Sequence, residues 1–309
     1  MKLNAQHVTE FQEVVWDYFR KNERPMPWRQ RPTPYHVLVS ELMLQQTQVP
    51  RVIPKFEAFI QRFPDVESLA SATLAQVLSL WSGLGYNRRA KFLHDAAKMV
   101  STGFGGDIPS TREELVKLPG VGPNTAGAIL AYAYNQPVVF IETNIRTVFI
   151  HHFFHDQFDV SDGDILDLAR QTLPAIREEQ PERRIYSAHG AMRNGMYTIC
   201  EAKSYKPIYH YREWYWALMD YGTHVKQIAG GRLAQSKHYK KQSPLAGSVR
   251  EMRGRIVRAL RGGMLDEMSL RTVVNADDRF AVALEALRAE GMIAGQNGTW
   301  CLTGDGDTR

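Results

Sequence analysis

The sequence predicts a mainly α-helical protein of two helical subdomains followed by a small C-terminal winged-helix-like domain. Three observations predict it. Apolar residues recur at helical spacing from the N-terminus to about Tyr221, as in Val14, Val15, Tyr18 and Phe19, and again in Leu69, Leu74, Val77, Leu78 and Trp81. Prolines and glycines cut this pattern into short helices joined by tight links, with no strand-rich module among them. The C-terminal stretch then changes character and ends in MIAGQNGTWCLT, where Asn297-Gly298 separates two short apolar runs and signals a hairpin.

Bulk composition narrows the function classes. With 309 residues and 44% hydrophobic content the chain can bury a large core and has room for two domains. No apolar run approaches the roughly 18 to 20 residues that span a bilayer, and the N-terminus lacks the apolar stretch of a signal peptide. A cytoplasmic monomer is expected, nucleoid-associated in a bacterium. Two cysteines, Cys200 and Cys301, are too few for a disulfide framework or a four-thiolate cluster, so neither an iron–sulfur cluster nor a structural metal is expected.

Taken in order, the elements fall into three regions. Residues 1–222 form the helical part. Within it Pro25, Pro27, Pro32 and Pro34 precede one helix, Gly83 and Gly85 follow another, and NTAGAILAYAY (124–134) is a small-residue helix suited to close core packing. An atypical insertion near 174–211 loses clear periodicity, and a helix resumes at 212–221. Residues 223–247 read as a basic linker. Between Gly222 and Gly262 the bases Lys226, Arg232, Lys237, Lys240, Lys241, Arg250, Arg253, Arg255, Arg258 and Arg261 face one acid, Glu251. Such a run attracts a phosphate backbone through counterion release, although a solvated linker would have the same composition. Residues 248–304 give helices over 248–261, 269–274 and 278–290 and then the hairpin, the order of a winged helix. Asp277 or Asp278 is placed to cap the third of these helices.

Three segments carry chemistry. Leu118-Pro119-Gly120-Val121-Gly122 is a tight hairpin between helices, and the helix beginning at Pro123 offers first-turn N–H groups to a phosphate. The hairpin is also where a monovalent cation could sit. Glu41 lies on an otherwise apolar helix ahead of a polar cluster, Gln45 to Gln48; burial raises a carboxyl pKa, which suits a general acid. Glu142 follows the apolar run FI and stands four residues before Arg146, which fits either a carboxylate facing developing positive charge or an ordinary Glu–Arg surface pair.

The segments PWRQRPTPYHVLVSELMLQQTQV, WSGLGYNRRAKFLHDAAK, LPGVGPNTAGAIL and FIETNIRTV together resemble MutY-type adenine DNA glycosylases of the helix-hairpin-helix superfamily, in register over about residues 12 to 155, with WALMDYG (216–222) similar to the closing helix of that catalytic domain. The resemblance implies that double-stranded DNA carrying a mismatch or lesion is the partner, that Glu41 protonates N7 of adenine and that the carboxylate at 142 stabilises the sugar cation. It implies that Gln46, Thr47, Leu84 and Tyr86 probe or fill the stack opposite a flipped base, with Arg88 among the strand contacts. It also implies that Arg24, Trp28 and Arg29 lie near the base pocket with Asn124. Position 124 matches the Schiff-base lysine of bifunctional relatives, and asparagine cannot form that bond, so a monofunctional enzyme is expected. Three departures stand out. The family aspartate is Glu142 here, the four cluster cysteines are absent with Lys226 near the place of the first, and a winged helix replaces the Nudix-like domain. The same scaffold would also serve a glycosylase for thymine or uracil opposite guanine, or a lesion-binding protein; Glu41 favours a purine leaving group.

Overall fold

The computed structural model describes residues 1–175, 210–230, 232–237 and 244–303. The insertion expected near 174–211 falls largely outside them, as do Lys240 and Lys241. Twelve α-helices precede the C-terminal domain among the described residues: α1 (Ala5–Asn22), α2 (Pro27–Gln30), α3 (Pro34–Leu44), α4 (Val49–Arg62), α5 (Val66–Ala70), α6 (Leu74–Trp81), α7 (Arg88–Gly103), α8 (Arg112–Leu115), α9 (Pro123–Tyr132), α10 (Thr143–Phe153), α11 (Asp162–Gln171) and α12 (Tyr211–Ala229).

Local chemistry accounts for most of their starts. Asn4, Thr33, Thr111 and Ser161 each accept a hydrogen bond from a first-turn N–H. Asp65 with Ser68, and Thr73 with Gln76, close reciprocal capping boxes. Two prolines of the Pro25–Pro34 cluster stand at helix starts, where a missing N–H costs nothing: Pro27 opens α2 and Pro34 opens α3.

Two helical groups result. α1, α10, α11 and α12 pack together, and α3 to α9 form the other group, with α9 meeting α12 between them. Large aromatics weld the first group, Trp16 lying 5.3 Å from Trp214 and Phe11 5.4 Å from Phe149. The expected close packing of the small-residue helix is present in a strict form. A Cβ on Gly127 would stand 2.6 Å from Phe140 Cβ, so α9 approaches the next strand of chain more closely than alanine would permit.

The C-terminal domain contains α13 (Val249–Leu260), β1 (Leu265–Asp266), α14 (Glu267–Val273), α15 (Arg279–Ala289), β2 (Ile293–Gln296) and β3 (Thr299–Leu302). Asn297 and Gly298 both take positive φ, 52° and 75°, as a two-residue hairpin turn requires. The winged-helix order expected from the sequence is present, with one addition: β1 pairs with β3, giving an antiparallel sheet of order β1-β3-β2. Two residues are too few to show a period in sequence. At the third helix Asp278 occupies the cap position without a side-chain bond, while Asp277 Oδ1 accepts from Arg279 N at 3.0 Å.

The stretch expected to be a basic linker from residue 223 needs correction. Its first seven residues continue α12, whose apolar face carries on through Val225. Beyond the helix, Gln235 donates from Nε2 to the carbonyls of Phe154, His155 and Gln157, and Val160 pairs with Ser236 in a parallel bridge. The chain is thus tied to the first helical group. Much of the basic run is also committed internally: Lys226 to Asn144, Arg253 to Glu290, Arg255 to Glu251 and Arg250 to Tyr86.

Candidate active site

Glu41 and Glu142 reach the same place from different helical groups. Glu41 stands on α3 and Glu142 is the cap residue of α10, its side chain making no cap hydrogen bond and so free for other work. Both keep some solvent access while sitting deep in the protein. Burial raises the pKa of each, and their surroundings then separate them. Glu41 is pushed well above the usual carboxylate range by burial and, in addition, by the charge of Glu142. For Glu142 burial is opposed by the positive charges of Arg146 and Lys226. Burial and like charge thus favour the protonated form most at Glu41, which has no cation among the influences on it.

The surface-pair reading of Glu142 with Arg146 does not describe the molecule. Arg146 turns to Asp162 on α11, donating from Nε at 3.1 Å and from Nη2 to both carboxylate oxygens at 2.9 Å. Its charge still acts on Glu142, but its hydrogen bonds do not.

Beside the carboxylates lies a second buried charge cluster. Asp220 on α12 is 1% exposed. It accepts two parallel bonds from Arg29, at 2.8 and 2.9 Å, and two more from Arg24 Nε (2.7 Å) and the Arg24 backbone N–H (3.0 Å). Arg29 also lies over the Trp216 ring, 5.4 Å from its centroid, and Trp216 stacks on Tyr132 at 6.4 Å. Tyr132 is buried close enough to both glutamates for their charges to raise its phenol pKa further than burial alone, so it remains neutral. Sequence reasoning missed Asp220 and Tyr132. The paired arginines Arg24 and Arg29 were the available signal for Asp220, since buried guanidinium groups require an anion.

Trp28 lies in the core edge-on to Phe56, 5.3 Å away. Asn124 is exposed in the first turn of α9. At the hairpin, Gly120 is required twice over: its φ is +79°, and a Cβ would meet Phe92 Cβ at 2.8 Å. Val121 is buried, whereas the space where a Cβ on Gly122 would stand is open. Gly122 is the cap residue of α9, with extended backbone (φ −86°, ψ 177°).

Two loops flank this hairpin. Gln46 and Tyr86 are both exposed, and both take positive φ, 56° and 48°, in residues that rarely do so. Leu84, expected beside them, is only 3% exposed and packs into the core, so its side chain is not presented with theirs. One unforeseen residue holds both loops. The buried Arg89 donates to the carbonyls of Leu42, Met43 and Gln45 on one side, to those of Leu84 and Gly85 on the other, and to Thr47 Oγ1 at 3.0 Å. The neighbouring Arg88 stays exposed, stacking on Phe92 at 4.9 Å and reaching Glu290 of the C-terminal domain at 3.8 Å. Arg250 of that domain donates to Tyr86 Oη at 2.6 Å, so the winged-helix-like unit touches the exposed Tyr86 loop.

The fold family commonly carries a four-cysteine iron–sulfur cluster, and this chain does not fit one. Two cysteines cannot supply four thiolates, and position 226 presents an ammonium bonded to Asn144.

Residues 39–166 match the family described as HhH-GPD superfamily base excision DNA repair protein. An adenine DNA glycosylase of Mycolicibacterium smegmatis is 32% identical over 301 residues, covering 92% of this chain and 93% of that protein. One from Buchnera aphidicola is 40% identical over 143 residues, which span 46% of this chain and 41% of the relative. Among solved structures, a thermostable thymine-DNA glycosylase superposes with a TM-score of 0.51 at 22% identity, over 55% of this chain and 79% of that one, a likeness of fold. No helix of the described residues is long and apolar enough to cross a membrane. With that family match and a relative matched over nearly its whole length, the chain belongs to the HhH-GPD superfamily of base excision DNA repair proteins, among the MutY-type adenine glycosylases.

Proposed function

We propose that this protein, as a monomer without an iron–sulfur cluster, removes adenine mispaired with 8-oxoguanine or guanine from duplex DNA by hydrolysing its N-glycosidic bond. The observation that carries the reading is the glutamate pair, in which Glu142 has cations beside it while Glu41 has only the charge of another carboxylate. A carboxyl whose pKa is raised can give its proton to N7 of a flipped adenine, so that the base leaves with the electrons of the C1′–N9 bond. The anion at Glu142 then faces the oxocarbenium-like sugar until water adds at C1′ and loses a proton. Hydrolysis ends there, because Asn124 has no amine to attack the sugar.

DNA would be held by the Gly120–Gly122 hairpin through first-turn N–H groups and a phosphate, with Gln46, Thr47 and Tyr86 at the gap left by the base. Lys240 and Lys241 would add sequence-independent attraction. Single-turnover incubation with duplexes carrying adenine opposite 8-oxoguanine, adenine opposite guanine, thymine opposite guanine and uracil opposite guanine, followed by alkali, tests the reading. Strand scission at the adenine duplexes is the expected outcome. Scission confined to the pyrimidine duplexes would remove the adenine assignment, and binding without scission would make the protein a lesion sensor.

A further inference from the structure

Lys226 enters the catalytic reading above only as one of two charges near Glu142. It lies on α12 one turn after Gly222, and both meet the same residue of α10. A Cβ on Gly222 would stand 2.4 Å from the Asn144 carbonyl oxygen, so α12 crosses the first turn of α10 in direct backbone contact. Lys226 Nζ then donates to Asn144 Oδ1 at 2.5 Å. Asn144 is two residues beyond Glu142, the residue that opens this helix. The half-buried ammonium is therefore anchored to the turn from which the Glu142 carboxylate projects.

We propose that Lys226 is a positioning residue for Glu142, fixing the first turn of α10 through Asn144 and holding its ammonium beside that turn together with Arg146.

Two cations act on Glu142, Arg146 the more strongly and Lys226 the less, and only Lys226 is bonded to the turn that carries it. From α3, Glu41 faces Glu142 and opposes its ionisation. From α9 comes only the neutral phenol of Tyr132. On α10 itself Arg146 contributes charge, but its guanidinium hydrogen bonds are taken by Asp162. Arg24, although paired with Asp220, still acts on Lys226 and lowers its pKa. The ammonium itself is influenced first by burial, which lowers its pKa, and then by Glu142, which raises it. An amine on a helix surface would show neither influence. Glutamate is one methylene longer than the aspartate of the resembled family, and an anchor on the turn that carries it limits where the longer side chain can go.

The test rests on the adenine reading only in its second measurement. In the first, the full-length protein is labelled at the glutamate side-chain carboxyl with carbon-13, and the Glu142 signal, assigned with Glu142→Gln, is titrated. Lys226→Met removes both the charge and the hydrogen bond. Lys226→Gln removes the charge alone and serves if the methionine variant does not fold. The Glu142 midpoint is expected to rise by about one pH unit in either, in line with loss of a nearby opposite charge, and to stay near the wild-type value in Lys226→Arg. An unchanged midpoint in Lys226→Gln overturns the proposal whether or not the protein releases adenine. In the second measurement, single-turnover release from an adenine:8-oxoguanine duplex is followed over about pH 5 to 9. The acidic limb should move upward by the same amount in Lys226→Gln, lowering the rate about tenfold on that limb. Borohydride trapping of a protein–DNA adduct that requires Lys226 would also overturn the proposal, because the amine would then be a nucleophile. Absence of adenine release by the wild-type protein would count against the function and leave the titration to decide the role of Lys226.

Discussion

The helical part and the C-terminal domain both hold dense charge, and they treat it in opposite ways. In the helical part the charges lie deep: Asp220 is 1% exposed beneath two arginines, and two glutamates share a site. In the C-terminal domain several acids sit near the surface beside an arginine. Glu251 accepts from Arg255 and Arg279, Asp277 from Arg279, and Glu290 from Arg253. The second arrangement is a satisfied ion-pair surface that contributes little to stability. The first stores unfavourable electrostatics at one point, Glu41, and such points are where chemistry is done.

That contrast can be broken most directly at Glu41. Glu41→Gln is expected to slow base release by about 10²- to 10⁴-fold, the usual contribution of a general acid, while DNA binding by gel shift stays intact. A variant with the normal rate would leave the buried glutamates as scaffold and erase the distinction between the two regions.

Next in size is Asp220→Asn. Withdrawing the anion from Arg24 and Arg29 strands a buried guanidinium, Arg29 being 7% exposed in its side chain. A loss of about 3 to 5 kcal/mol in chemical denaturation is expected. A loss below about 1 kcal/mol would mean that water already screens this cluster as it does the C-terminal pairs.

A smaller effect sharpens the same point through pH. Because burial and then Glu142 raise the Glu41 pKa, the folded protein holds a proton that the unfolded chain releases above its ordinary value of 4.5. Stability is therefore lost as pH rises through the interval from that value to the raised one. Glu41→Gln should melt higher than wild type near pH 8, by about 1 kcal/mol, with the difference closing below about pH 4.5. Equal melting at both ends would show that Glu41 carries no electrostatic cost. Least of all, Glu290→Gln should cost under about 1 kcal/mol, because its partners Arg253 and Arg88 remain accessible to water. A larger loss would make the C-terminal pairs part of the buried system.

Much of the fold was legible because helix starts are written locally. Thr73 and Gln76 cap each other three residues apart, Pro34 opens α3, and Asn297-Gly298 turns a hairpin, each through bonds spanning a few residues. The exceptions have local causes too. α12 runs past the expected end at 221 because its apolar face continues through Val225, and β1 is too short to carry a period.

The candidate site was legible in part for a different reason. Glu41 stood out as an acid in an apolar helix, and Gly120 as a glycine in a turn that needs positive φ. Arg89 did not stand out, since nothing in RRAKF distinguishes it from Arg88; only packing sends one guanidinium inward to five carbonyls and leaves its neighbour in solvent. Leu84 looked like a side chain for the gap and is a core residue.

By itself the sequence determined which residues can cap, turn and bury, and it placed a glutamate at 41 and another at 142. Only the tertiary structure decided that these two are buried within reach of each other's charge, that Arg146 serves Asp162, that Asp220 collects two arginines from the other end of the chain, and that Lys226 reaches Asn144. The reason is range. Capping and turn geometry are settled between residues a few positions apart, whereas the energy of a charge depends on its distance to every other charge and on the water excluded between them, and those distances exist only once the helices have packed.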